Sequence, residues 1–271
     1  MAMFALISGG GSPGVTTAAL ALALCWPDPV ILAECDPAGG SVLAGLFGGH
    51  QPGGRGLLGL ALATSRDSQA AAAELPRQLV AIDEGRDRLL LAGLADPREA
   101  LGLRAAWDLI AAALAAAGQD VIADCGRLGP GCEAQASIIA AAAATVLVLR
   151  PTLRQVAAAL PRASLAAGLT DGSGKIGLLL TGDARLPGYR RGEIESALGL
   201  PVIGALPFDP RTAAVLSDGA GSRSGLSGRP LLREATVVAR AVRQLSAAGV
   251  VPPGWRSRTW PRQAEPAGGT R

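Results

Sequence analysis

The chain has 271 residues, 49% of them hydrophobic and 17% charged, which is enough for one large core and bounds the chain at two domains. Its net charge of +3 gives no nucleic-acid signal, and the basicity is local: the last 21 residues hold Arg256, Arg258, Arg262 and Arg271 against one acid, Glu265. Cys25, Cys35, Cys125 and Cys132 lack C-x-x-C spacing, so they read as small buried thiols in a reducing cytosol, without a zinc or redox motif.

The first residues, MAMFALISGG, carry no basic segment and run straight into an apolar strand over 3–8, unlike a signal peptide. A Gly-rich stretch, SGGGSPGVTT (8–17), leads into an Ala/Leu helix over 14–25 and a second strand over 29–34. Residues 49–67 read as a Gly-rich surface loop with room for one helical turn. A helix over 68–80, a strand over 88–93, a helix over 98–117 and a strand over 120–124 follow. The next pairs are a helix over 132–143 with a strand over 145–150, and a helix over 152–168 with a strand over 175–182. A helix over 190–198 then precedes a strand over 201–207, and Asp209-Pro210 opens a short helix. Residues 219–230 read as a flexible loop and 230–248 as a last helix. From 250 the Pro, Gly and Arg content is that of a disordered tail, so the expected division is one domain over 1–249 and a Pro/Arg-rich tail over 250–271. The longest largely apolar run, Ala136–Leu149, has 14 residues, too few to span a bilayer, and the chain is expected in the cytoplasm.

Continuous apolar strands alternating with helices predict an α/β fold: a mostly parallel twisted sheet with helices on both faces. In such folds ligands bind at the carboxyl ends of the strands. The loop after the first strand has the outline G-x-x-x-x-G-K-[ST] of a phosphate-binding loop, in which backbone amides and a helix N-terminus face the anion. Gly9 and Gly14 take the two glycine positions and Thr16 the hydroxyl position, but Val15 stands where the lysine belongs. Taken alone, the stretch reads equally well as an ordinary Gly-rich turn. Two acidic strand ends, AECDPAGGS (33–41) and DVIADCGRLGP (120–130), add carboxylates suited to a magnesium nucleotide.

With these motifs the chain resembles, over roughly residues 3–248, the MinD/ParA group of deviant P-loop ATPases. GGGSPGVTTAALALA looks like that family's K-G-G-x-G-K-T-T loop, ECDPAGGS like its D-x-D-P-x-G switch, and DCGRLGP like its second acidic motif. The segment 190–219, RRGEIESALGLPVIGALPFDPRTAAVLSDG, resembles the late helix–strand–P-[FY]-D region and is the longest match. The resemblance implies ATP or ADP with Mg²⁺ bound by a cradle of Gly9, Gly10, Gly11, Ser12, Gly14, Val15, Thr16 and Thr17. It implies a metal held near Thr16, Asp36 and Asp124, the two carboxylates also being the catalytic ones. Pro207, Phe208 and Asp209 would lie near the base, and Thr181 falls where the family often places a base-reading Asn. Glu34 replaces the first carboxylate of the switch.

Both lysines of the family's loop are missing: one would fall at Gly10, the other at Val15. Lys175 is the only lysine, against 24 arginines. Drift toward a GC-rich codon set would put Arg at these positions, so Gly and Val are more than compositional bias. Losing a cation from the transferred phosphoryl group removes about 3–5 kcal/mol of transition-state stabilisation, by analogy with losing one preorganised donor. Pro13 also removes one amide from the cradle. Nucleotide binding with weak or no hydrolysis is the expectation, in a positioning or partitioning switch for cell division, chromosome partitioning or secretion and pilus localisation. Arg127 and Arg150 lie at strand ends where either can stand in for a lysine, which leaves open a slow but genuine ATPase. A nucleotide-free scaffold is a third reading.

A protein partner from such a machine follows from the same resemblance. Homodimerisation stays open, because the lysine that crosses the family's dimer is absent. Trp255 and Trp260 among the tail arginines suit a lipid surface or a protein groove, so peripheral contact with the inner membrane face is one reading of the tail. His50 sits in a Gly/Pro-rich loop without a nucleophile pattern and reads as a surface residue. Cys35 and Cys125 flank the acids and read as buried small residues rather than a redox pair.

Overall fold

The computed structural model describes residues 1–48, 54–64, 68–129, 131, 133–170, 175–182, 188–220 and 225–247. Eight strands form one sheet among these residues: β1 (Met3–Ser8), β2 (Val30–Glu34), β3 (Val80–Ala81), β4 (Arg88–Leu91), β5 (Asp120–Arg127), β6 (Ala144–Leu149), β7 (Lys175–Gly182) and β8 (Val202–Pro207). Their order is β3-β4-β2-β5-β1-β6-β7-β8. Every neighbouring pair is parallel except β3–β4 at the edge. Strands buried on both faces must be apolar throughout, and β1, MFALIS, is buried at every position. The expected α/β class is the observed one.

The helices are α1 (Val15–Leu24), α2 (Val42–Phe47), α3 (Leu57–Thr64), α4 (Ser68–Gln78), α5 (Glu99–Gly102), α6 (Trp107–Ala115), α7 (Glu133–Ala141), α8 (Leu153–Leu169), α9 (Arg191–Leu198), α10 (Pro210–Asp218) and α11 (Pro230–Ala247). Alternate side chains of each strand feed two separate cores. Phe4, Leu6 and Leu32 pack with residues of α1, α2, α10 and α11 on one face. Ala5, Ile7 and Ala33 pack with residues of α3, α4 and α6 to α9 on the other. Small residues bring helix and sheet close: a methyl group at Gly204 of β8 would lie 2.7 Å from Val238 of α11.

Five local expectations are corrected. The loop expected over 49–67 contains the two-turn helix α3, in which Leu57 and Leu60 are fully buried; burial against the sheet overrides the glycines read as breakers. A short helix, α2, follows Ser41 where none was expected. The helix expected over 98–117 breaks after Gly102 into a 3-10 turn, Arg104–Ala106, before α6. The helix expected over 68–80 stops at Gln78, and Val80–Ala81 pairs antiparallel with β4. Within the loop expected over 219–230, Leu226–Gly228 forms a 3-10 turn. His50, Cys132 and the tail with Trp255 and Trp260 lie outside the described residues.

Candidate phosphate-loop site

The loop between β1 and α1 owes its shape to glycine. Gly10, Gly11 and Gly14 have φ of 146°, 69° and 94°, and Ser12 joins them at 46°. Gly9 is required for a different reason: a methyl group there would lie 2.8 Å from the Ala158 carbonyl of α8. The result is a loop turned inside out. Three successive carbonyls point away from it to fixed partners: Gly11 O accepts from Gln155 Nε2 at 3.1 Å, Ser12 O from Arg150 Nη2 at 3.5 Å, and Pro13 O from the Thr181 hydroxyl at 2.7 Å. The amides of Gly10, Gly11, Ser12 and Gly14 donate to no described residue. Successive free N–H groups ahead of a helix N-terminus form an anion-binding concavity.

Behind the loop stand the acids. β1 lies between β5 and β6, so the end of β5 faces the start of α1. Asp124 is 2% exposed; it accepts from Gly126 N at 3.0 Å and from the Thr16 side chain. Burial pushes its carboxyl up to about 6, the Thr16 and Gly126 hydrogen bonds pull it down, and the charges of Glu34 and Asp36 raise it further. Asp36 is half-buried and accepts from Ala38 N at 2.8 Å. Burial raises its pKa as well, against the Ala38 hydrogen bond. Asp36 seats its carboxylate on Gly126, whose φ is 59°, so a methyl group at that position would overlap it. The register of β1 with β5 slips between Leu6–Asp124 and Ser8–Arg127, and this irregularity at Gly126 sets Arg127 at the strand end beside the loop.

Thr16, Asp36 and Asp124 offer two carboxylates and a hydroxyl, all oxygen donors, as Mg²⁺ requires when phosphate and water complete its shell. Among the described residues no cluster of three or more His, Cys, Asp or Glu side chains makes a metal site by itself. The donors present therefore fit a metal brought with a phosphate ligand. The mutual repulsion of Asp124, Asp36 and Glu34 also favours a cation there.

A cavity of about 140 Å³ opens beside the loop, lined by Pro13, Gly14, Thr17, Arg150, Thr181, Pro207 and Phe208 among others. Phe208 is 60% exposed on its rim. Asp209 also lines it, yet its carboxylate is engaged by α10: Oδ1 accepts from Thr212 N at 3.1 Å and Oδ2 from the Thr212 hydroxyl at 2.6 Å. It is the N-cap of that helix, with Pro210 next in line. Burial raises its pKa, but the Thr212 bonds, a Leu231 amide and nearby Arg229 outweigh this and leave it lowered. Thr181, in the position expected to read a base, spends its hydroxyl proton on Pro13.

The other expected residues divide. Thr17 lies on the cavity wall. Val15 is 6% exposed and packs in the core with α1, so it offers the loop its backbone and not its side chain. Glu34 points elsewhere: Oε1 accepts from Ser41 N at 2.7 Å and Val42 N at 2.9 Å, and Oε2 from Gly93 N at 3.1 Å. It ties the start of α2 and the end of β4 to β2. Cys35 and Cys125 are both buried free thiols whose pKa burial raises, with nearby carboxylates adding to it, so neither presents a reactive thiolate. Sequence reasoning missed Arg154 and Gln155 of α8. A methyl group at Gly11 would meet Gln155 and lie 3.8 Å from Arg154 Nη2. The signal was the pair of arginines in RPTLRQ at the end of a strand adjoining β1.

No protein-family model and no curated protein matches the chain. Solved structures do match. The cell-division ATPase MinD of Pyrococcus furiosus is 16% identical with a TM-score of 0.71, covering 90% of this chain and 99% of that one. MinD of Pyrococcus horikoshii in complex with Mg-ADP is 14% identical with a TM-score of 0.72, covering 92% and 99%. A ParA-family ATPase from Chlorobium tepidum is 16% identical with a TM-score of 0.66, covering 89% and 97%. At these identities the likeness concerns the backbone: strand order, parallel sheet and phosphate-type loop together give this chain the fold of the MinD and ParA ATPases.

Proposed function

We propose that the protein is a nucleotide-binding positioning switch of MinD/ParA type whose phosphate loop is degenerate, lacking both lysines. It takes ATP or ADP with Mg²⁺ and hydrolyses ATP weakly or not at all. Its setting is cell division, chromosome partitioning, or the localisation of a secretion or pilus machine. The observation that carries this is the loop itself, with three carbonyls pinned outward and four amides free above the Thr16–Asp124 pair. The Mg-ADP complex of the Pyrococcus horikoshii MinD supports the ligand.

In this reading the amides of residues 9–12 and 14–17 hold the phosphates, and Thr16, Asp36 and Asp124 hold the metal, which when bound neutralises phosphate charge. Asp36, held by Ala38 and seated on Gly126, orients the attacking water. The base lies toward Pro207 and Phe208. Binding survives the loss of the lysines because fixed amide dipoles need no side-chain ammonium. Fast phosphoryl transfer does not survive, because no side chain of the loop itself carries a cation to the developing charge.

A complex of MinC with MinD from Aquifex aeolicus supports a protein partner for the loaded state, and a homodimer belongs to the same reading. Among the described residues no helix is long and apolar enough to cross a membrane. We place the protein in the cytoplasm, with peripheral membrane contact through the tail as an extension of this reading.

Calorimetric titration with Mg-ATP tests the reading: saturable heat with one site per chain is expected, and its absence removes nucleotide binding. Phosphate release is expected to run about 10²–10⁴ below a lysine-bearing enzyme of this fold. Turnover at the level of such an enzyme would instead favour a genuine partitioning ATPase, the second reading, for which Arg127 beside Gly10 is the supporting observation.

A further inference from the structure

Three arginines converge on three successive residues of the loop. A methyl group at Gly10 would lie 3.8 Å from Arg127 Nε, and one at Gly11 would lie 3.8 Å from Arg154 Nη2. Arg150 donates to Ser12 O at 3.5 Å. All three side chains are exposed, and none pairs with a carboxylate among the described residues. Three like charges around one short loop repel one another, and a shared anion relieves that repulsion.

Gln155 supplies a second, independent sign of a guest. It is 3% exposed and anchors the loop through Gly11 O, while its own Oε1 has no hydrogen-bond partner. A buried carbonyl oxygen left without a donor costs about 1–3 kcal/mol, and a protonated or water-carrying ligand at the loop would satisfy it.

We infer that Arg127, Arg150 and Arg154 form a guanidinium clamp that grips the terminal phosphates of a nucleoside triphosphate in place of the missing ammonium groups, within a single chain. The inference rests on the nucleotide-binding reading and says which side chains discriminate the ligand. Guanidinium is planar and presents paired donors, so it grips phosphate oxygens bidentately where ammonium acts as a point charge. The clamp comes from the end of β5 and from the β6–α8 junction, the two strands that flank β1. No residue of a second subunit is needed. The backbone at Gly10 also disfavours any side chain, since φ of 146° is strained for every residue but glycine. A clamp built from neighbouring elements avoids that position.

The test is titration of Mg-ATP, Mg-ADP and AMP into the full chain and into R127Q, R150Q, R154Q and the triple variant, with melting temperatures of the free proteins alongside. Each single change is expected to weaken Mg-ATP binding about tenfold, and the triple change about 100-fold or more. For R127Q and R154Q, AMP affinity and the melting temperature stay within error, which a merely structural role would not allow; R150Q, which also frees Ser12 O, is read from its ATP-to-AMP affinity ratio. R154K is expected to recover part of the loss. Wild-type affinity for Mg-ATP is expected to be the same at protein concentrations where the chain is monomeric. Tight binding by the triple variant removes the clamp and leaves the nucleotide reading standing. Binding that appears only with dimerisation removes the single-chain claim. A wild-type chain that takes no Mg-ATP removes both.

Discussion

Asp124 shows how one side chain trades stability for a site. Its carboxyl sits at about 6 against an ordinary 3.8, mainly through burial. Between these values the folded chain holds a proton that the unfolded chain has released. Stability therefore falls as pH rises through this window, by about 3 kcal/mol in all. In metal-free buffer the melting temperature is expected to drop from pH 4 to pH 7, and Asp124→Asn is expected to flatten that slope and raise stability at neutral pH. An unchanged slope in the variant would assign the titration to another group. Nearby, residue types alone misled. Glu34 and Asp209 are acids in the expected places, but Glu34 spends its oxygens on backbone amides and Asp209 on the amide and hydroxyl of Thr212. Val15 turns into the core. Which acid faces a ligand depends on what else surrounds it, and that is not written in the local sequence.

At the scale of elements, helix α2 was unreadable because its six residues, VLAGLF, carry no period that distinguishes a buried helix from a loop. It exists because Glu34 receives its first amides and because it crosses α10 closely. A methyl group at Gly45 would meet the carbonyl of Leu216 and lie 2.5 Å from that of Ser217. Gly45→Ala is accordingly expected to destabilise the fold by about 1–3 kcal/mol, read from the urea midpoint. An unchanged midpoint would mean the two helices part without cost. α10 was legible, by contrast, because Asp209-Pro210 is a local start signal and the Asp209 side chain does cap it. The long strands were legible for a similar reason: a doubly covered strand is apolar at each position, whatever its neighbours.

Across the whole molecule, the last helix closes the second core. Leu231, Leu232, Ala235, Val238, Ala239, Val242 and Leu245 of α11 are buried at helical spacing against α1 and the sheet. Removing residues 250–271 is therefore expected to leave the melting temperature within about 2 °C of the full chain, while a chain stopped before Pro230 should not fold. A large drop on removing 250–271 would extend the domain beyond the proposed boundary at 249. Two cores on one sheet also show why 3% aromatic residues suffice: Ala, Leu, Val and Ile fill most of both layers, around the buried rings of Phe4, Trp26 and Trp107.

The amino-acid sequence alone determined the alternation of strands and helices, the α/β class and the Gly-rich turn after the first strand. These depend on hydrophobic period and on backbone freedom, both local properties. Only the tertiary structure decided which side chains meet at that turn. β5 and β6, distant in the chain, flank β1, and this strand order brings Asp124, Arg127, Arg150, Arg154 and Gln155 to one loop. Pairing between remote strands is a global minimum of packing, so no window of sequence contains it.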